Sequence, residues 1–122
     1  MASHHDLYLE ELVNNLGEIG ETPRELKYFI RDGIYRPEPY KNIIRFCDLI
    51  LVYHPNEIHT QEYGVPVELK GSKRKRRSAL EQLANGTRFI TEELGIDSPH
   101  GKFVTYNKGM YEYEKIKPYQ RR

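Results

Sequence analysis

A single cysteine, Cys47, stands in the 122-residue chain. That excludes an internal disulfide framework and any zinc site built mainly of thiolates. Long apolar runs are missing too. No stretch approaches the ~18 residues of a membrane-spanning helix, and no signal-peptide pattern opens the sequence. The expectation is a cytoplasmic protein with no membrane partner. Net charge is nearly absent: 19 basic against 18 acidic residues give +1. The whole molecule is therefore no polycation, and any affinity for nucleic acid has to come from local asymmetry. Internal repeats are absent as well.

What is present fits one domain over residues 1–122, long enough for a single core without covalent staples. Hydrophobic residues make up 38% and charged residues 30%. His4 and His5 read as part of a frayed start that supports no metal site. Leu9, Leu12, Val13 and Leu16 recur at helical spacing over Asp6–Leu16, with Asp6 as N-cap and Gly17 as the stop. Thr22-Pro23-Arg24-Glu25 reads as a capping box opening a second helix, with Leu26, Phe29 and Ile30 as its apolar face. Pro37 and Pro39 make residues 35–42 a loop or a poor edge strand.

Two apolar runs, Leu49–Tyr53 and Val65–Leu69, read as consecutive strands separated by the turn formers Pro55, Asn56 and Gly64. An antiparallel hairpin with Asp48 opposite Lys70 sets Ile50 opposite Glu68 and Val52 opposite Pro66. Side chains alternate across a strand, so Asp48, Glu68 and Lys70 converge on one face. Leu49, Leu51 and Tyr53 then meet Val65, Val67 and Leu69 as core on the other. Two carboxylates and an ammonium at a strand end suit Mg²⁺ or Mn²⁺ with a cation beside it. They equally suit solvated strand-end charges with Lys70 as ion-pair partner. His54, Glu57, His59 and Glu62 lie scattered in the connecting loop, where a structural zinc site would show closer ligand pairs.

The basic run Lys73, Arg74, Lys75, Arg76, Arg77 follows at once. It reads as a phosphate clamp, a localisation-like tract or a solvated loop. Ser78-Ala79-Leu80-Glu81 is a second capping box, opening a helix whose stripe is Leu80, Leu83, Ala84, Thr87, Ile90, Thr91 and Leu94. Gly86 inside it marks a close contact or a break. Lys102–Asn107 and Met110–Lys117 flank Asn107-Lys108-Gly109 as a hairpin. Cys47 reads as a small buried apolar residue. Together these elements predict an α+β domain, a mixed sheet flanked by helices.

Asp48, nineteen intervening residues and then Glu68-Leu69-Lys70 resemble the PD-(D/E)XK nuclease superfamily. Its signature is an acidic residue on one strand and E-x-K or D-x-K on the next. The continuation to Gly71-Ser72 and a helix with Gln82 is similar to small VRR-NUC nucleases and archaeal Holliday-junction resolvases. The likeness covers roughly residues 40–95; Cys47 departs from a proline common at that position. The resemblance implies a restriction-endonuclease-like core and a Mg²⁺- or Mn²⁺-dependent endonuclease acting on branched or duplex DNA as a homodimer. Asp48 and Glu68 would hold the metal, Lys70 would assist the attacking water, Gln82 would be auxiliary and Lys73–Arg77 would grip phosphates. It also implies a helix carboxylate, for which Glu10, Glu11, Glu21 and Glu25 compete, Glu11 and Glu10 being preferred. Two other classes fit the residues: a nucleic-acid-binding module that does not cut, and an interaction domain using a sheet edge or the Tyr-rich hairpin.

Overall fold

The computed structural model describes residues 4–29 and 45–117. The expected proline-rich loop and the basic pair Arg121-Arg122 lie outside them. A five-stranded mixed sheet in the order β1-β2-β3-β4-β5 is flanked by helices, an α+β architecture. Its strands are β1 Glu25–Phe29, β2 Leu49–Tyr53, β3 Tyr63–Lys70, β4 Gly101–Asn107 and β5 Met110–Ile116. All neighbours pair antiparallel except β3 and β4. Parallel strands need a crossover, which α2 (Arg76–Arg88) and a π-helical turn (Phe89–Glu93) provide. The C-terminal ends of β3 and β4 therefore lie side by side, with Lys70 beside Thr105.

Both faces of the sheet are covered. On one, Leu9 and Leu12 of α1 (His4–Val13) and Ile19 of a 3₁₀ turn (Leu16–Ile19) pack against Leu49, Leu51, Val65, Val67 and Leu69. On the other, Ala79, Leu83 and Ile90 pack against Ile50, Val52 and Phe103. No helix among the described residues is long and apolar enough to cross a membrane.

Several expectations about local structure are overturned. The Thr22 capping box opens no helix: Glu25 stands in strand β1 opposite Val52, and the Arg24 N–H donates to the Val52 carbonyl. Leu26 packs on the core, so the need of β2 for a pairing partner overrides the local cap signal. Asp6 is no N-cap either. It is buried within α1, and the left-handed residue that ends the following turn is Gly20 rather than Gly17.

The basic run is not a loop ahead of the second helix. Ser72 caps a 3₁₀ turn (Lys73–Lys75) by accepting from the Arg74 N–H at 3.1 Å, and α2 continues from it. Ser78 thus lies inside the helix. Its buried stripe is Ala79, Leu83, Gly86 and Ile90, while Ala84 and Thr91 are exposed. Gly86 sets that phase. A Cβ there would lie 2.6 Å from Cys47 Sγ and 2.8 Å from Pro66 Cβ, so α2 rests directly on the β2–β3 hairpin. The C-terminal hairpin forms as expected, turning at Lys108-Gly109, both at positive φ.

A second polar knot ties the 3₁₀ turn to the sheet. Glu21, 4% exposed, accepts from the Tyr53 hydroxyl and pairs with Lys102 Nζ at 3.2 Å and His100 Nε2 at 3.0 Å. Lys102 also donates to the Ile19 carbonyl and lies over the Tyr113 ring. Burial works against the Glu21 charge, but the His100, Tyr53 and Lys102 contacts together hold its pKa below the ordinary value.

Two substitutions test this packing. Gly86→Ala adds about 1 kcal/mol of helix propensity, yet the expected net result is a loss of about 1–3 kcal/mol from overpacking, read as a lower urea midpoint. Glu21→Ala strands the Lys102 ammonium and is expected to cost about 3–5 kcal/mol, with Lys102→Met in the same background recovering part of the loss.

Candidate metal centre

Asp48 immediately precedes β2. Its N–H donates to the Val67 carbonyl at 3.0 Å, and the register of the adjoining ladder, with Leu49 opposite Val67, brings Asp48 beside Glu68. The expected pairing of Asp48 with Lys70 is therefore corrected by two residues: Ile50 faces Pro66, not Glu68, and Val52 faces Gly64, not Pro66. An even slip preserves the face of every side chain. Asp48, Glu68 and Lys70 still share a face, with Glu68 rather than Lys70 next to Asp48.

The Glu68 carboxylate is 2% exposed and lies beside that of Asp48. Its Oε2 is 3.3 Å from Lys70 Nζ. Its Oε1 is buried with no hydrogen-bond partner among the described residues. Burial first, and the Asp48 charge second, push the Glu68 pKa well above the usual carboxylate range; Lys70 works in the opposite direction. Asp48 Oδ2 accepts from the Leu69 N–H at 2.9 Å, a bond that fixes the carboxylate at the strand end.

The first turn of α1 supplies the third member. His5 Nε2 is 3.2 Å from Asp48 Oδ2 and 3.1 Å from the Leu69 carbonyl oxygen. A carbonyl only accepts, so Nε2 carries the proton and donates to both. The hydrogen bond to Asp48 raises the His5 pKa above 6.5, against the effect of its burial. Ligand atoms of His5, Asp48 and Glu68 all lie within 4.8 Å of one another, the one such group among the described residues. The view of His4-His5 as an uninvolved start is thus corrected. His5, Leu9 and Leu12 follow the i, i+4, i+7 spacing of one helix face, and that periodicity was the available signal.

The other expected site residues fall elsewhere. Glu11 is exposed on α1, its charge near Tyr106 and Tyr111 rather than the carboxylate pair. Glu10 is also on α1 outside the cluster, Glu21 belongs to the knot with Lys102, and Glu25 stands in β1. Gln82 does not turn to the carboxylates: its amide donates to the Phe46 carbonyl at 3.1 Å and its Oε1 accepts from Ser78. It steadies the segment leading into Asp48. In the basic run, Lys73 pairs with Glu112 at 2.9 Å, and the Arg76 guanidinium grips Glu114 with two bonds of 2.8 and 2.7 Å. Arg74, Lys75 and Arg77 are exposed and have no ion pair among the described residues. Cys47 is buried and its thiol donates to the Leu49 carbonyl, with burial raising its pKa.

The donor set fits a hard divalent cation. Two buried carboxylates repel each other, one oxygen lacks a partner, and a proton held by His5 bridges toward Asp48 where positive charge is favoured. No family model, no curated protein and no solved structure matches the chain.

The geometry makes metal binding depend on pH. The raised His5 pKa means its protonated form stabilises the metal-free fold below pH 6.5, and that stability is lost as pH rises through the raised value. Glu68 likewise keeps its proton above the ordinary 4.5. A divalent cation must displace both protons. The melting-temperature gain with Mn²⁺ is expected to be small at about pH 5.5 and large at about pH 8. Asp48→Ala should abolish the gain, and His5→Ala should flatten its pH dependence. A gain that ignores pH or survives Asp48→Ala would count against the centre.

Proposed function

We propose that the chain is a metal-dependent endonuclease that hydrolyses DNA phosphodiester bonds, built on a restriction-endonuclease-like core. The observation that carries this reading is the buried Asp48–Glu68 pair with Glu68 Oε1 left without a partner. Apolar packing alone gives no reason to retain two adjoining carboxylates and an orphaned oxygen, whereas a cation satisfies all three. The placement of Asp48 and Glu68-Leu69-Lys70 on neighbouring antiparallel strands, with a helix next in the chain, supports the resemblance.

Asp48 and Glu68 would hold Mg²⁺ or Mn²⁺, with His5 as third ligand after giving up its Nε2 proton. Such a cation, when bound, neutralises a phosphodiester oxygen and lowers the pKa of a water. Lys70 keeps a compact positive charge beside Glu68, where it can orient that water or stabilise charge developing on the phosphate. The Leu69 N–H holds Asp48 in place, and Gln82 anchors Phe46 two residues before it. Arg74, Lys75 and Arg77, without an ion pair among the described residues, provide cations for the backbone. A two-fold dimer would offer two such sites to the two strands of a duplex or junction. A module that only binds is less well supported, because it leaves the buried carboxylates without a role.

Labelled four-way-junction, duplex and single-stranded DNA incubated with Mg²⁺ or Mn²⁺ test the proposal. Cutting is expected with metal and not with EDTA. Lys70→Ala should slow it by about 10²–10⁴-fold without removing the Mn²⁺-induced rise in melting temperature. Wild-type protein that binds these substrates and cuts none of them would overturn the nuclease.

A further inference from the structure

Glu112 and Glu114 of β5 lie on the same sheet face as the metal centre. In one row across the sheet, Glu68 neighbours Phe103 and Phe103 neighbours Glu114; in the next, Lys70 neighbours Thr105 and Thr105 neighbours Glu112. Each glutamate is thus two strand spacings, roughly 10 Å, from the strand that bears Glu68 and Lys70. The start of α2 overhangs this area. A cleft there is lined by Lys73, Arg76, Phe103, Thr105, Glu112 and Glu114. A second cleft shares Lys73, Thr105 and Glu112 and runs on past Arg74 to Asn107.

Both cations that face this cleft are occupied by carboxylates of the same chain. Lys73 Nζ meets Glu112 Oε1 at 2.9 Å, and Arg76 takes Glu114 in a two-bond fork. All four side chains are substantially exposed, 43–75%, and exposed pairs contribute little to folding. Their geometry is that of phosphate recognition: a planar fork on one anion and a point charge on the next. Residues two apart on one strand face are about 6.8 Å apart, a repeat comparable to that of an extended sugar–phosphate chain. The mutual attraction raises the Arg76 pKa and lowers that of Glu114.

We propose that Glu112 and Glu114 are internal stand-ins for two successive backbone phosphates, and that a phosphodiester strand leaving the metal centre through this cleft displaces them from Lys73 and Arg76. Binding to the basic segment is therefore held back by carboxylates that compete for two of its five cations. The proposal rests on the nucleic-acid reading of the neighbouring centre, and it assigns β5 a role in that reading for the first time.

Affinity for labelled single-stranded and duplex DNA, measured by fluorescence anisotropy in EDTA across a salt series, tests it without any cleavage. Glu112→Gln/Glu114→Gln is expected to bind single strands roughly tenfold tighter at low salt. Its log–log salt slope should stay close to that of the wild type, because displacement leaves the same phosphate contacts in both complexes. Glu92→Gln/Glu93→Gln makes the same charge change at the far end of the α2 segment and should tighten binding far less. Should the double variant prove unfolded by its melting curve, the two single variants carry the test with about half the free-energy gain, roughly threefold each. Unchanged affinity in a folded variant, equal tightening in the control, or no DNA binding by any protein would overturn the proposal. Because EDTA removes the metal, loss of cutting cannot mimic any of these results. Cutting with unchanged affinity would overturn the stand-in role and leave the nuclease intact.

Discussion

The pairing of β2 with β3 is the constraint on which the rest depends. Every residue of β2 is buried, and so is every residue of β3 but the last. With apolar layers on both faces, the ladder cannot slide by one residue without moving each core side chain to the wrong layer. That register places Asp48 opposite Glu68 and so brings two carboxylates together at a buried strand end. Hydrophobic burial along the hairpin offsets the cost of this like-charge contact, and the strain is confined to one corner of the molecule.

Charge balance in this protein is spatial rather than numerical. Three ionic groups divide the titratable residues among different surroundings. At the Asp48–Glu68 pair, burial and repulsion leave positive charge in demand. Around Glu21, on the opposite face of the sheet, every charge is answered by Lys102, His100 or Tyr53, and the group acts as a fastening between the 3₁₀ turn and β4. Along the start of α2 the pairs are exposed to solvent. Satisfaction of the charged groups decreases from the knot to the cleft to the carboxylate pair.

The two helices contribute in different ways. α2 is seated by the absence of a side chain at Gly86, which lets it approach Cys47 and Pro66 and holds the hairpin from one side. α1 covers the opposite face, and its first turn extends to the strand end, where His5 meets Asp48. The candidate centre therefore draws on residues from both layers.

Apolar alternation and turn residues made β2, β3 and the β4–β5 hairpin legible, because a strand buried on a given face has to repeat every two residues. The same rule kept Asp48, Glu68 and Lys70 on one face even under a register two residues out. The helical face of Leu9 and Leu12 was legible, as were the presence of a helix after the basic run and the burial of Cys47. Local letters misled where long-range pairing decided: Thr22–Glu25 carries cap chemistry, but the open edge of β2 draws it into a strand. Ser78 carries it too, but Ser72 caps first. Only the tertiary structure could bring His5 to Asp48 across forty-three positions, turn Gln82 to a backbone carbonyl, and pair Lys73 and Arg76 with glutamates of β5. Periodicity is a property of neighbours along the chain. The partner of a charge is set by which surfaces the packed sheet and helices bring within reach.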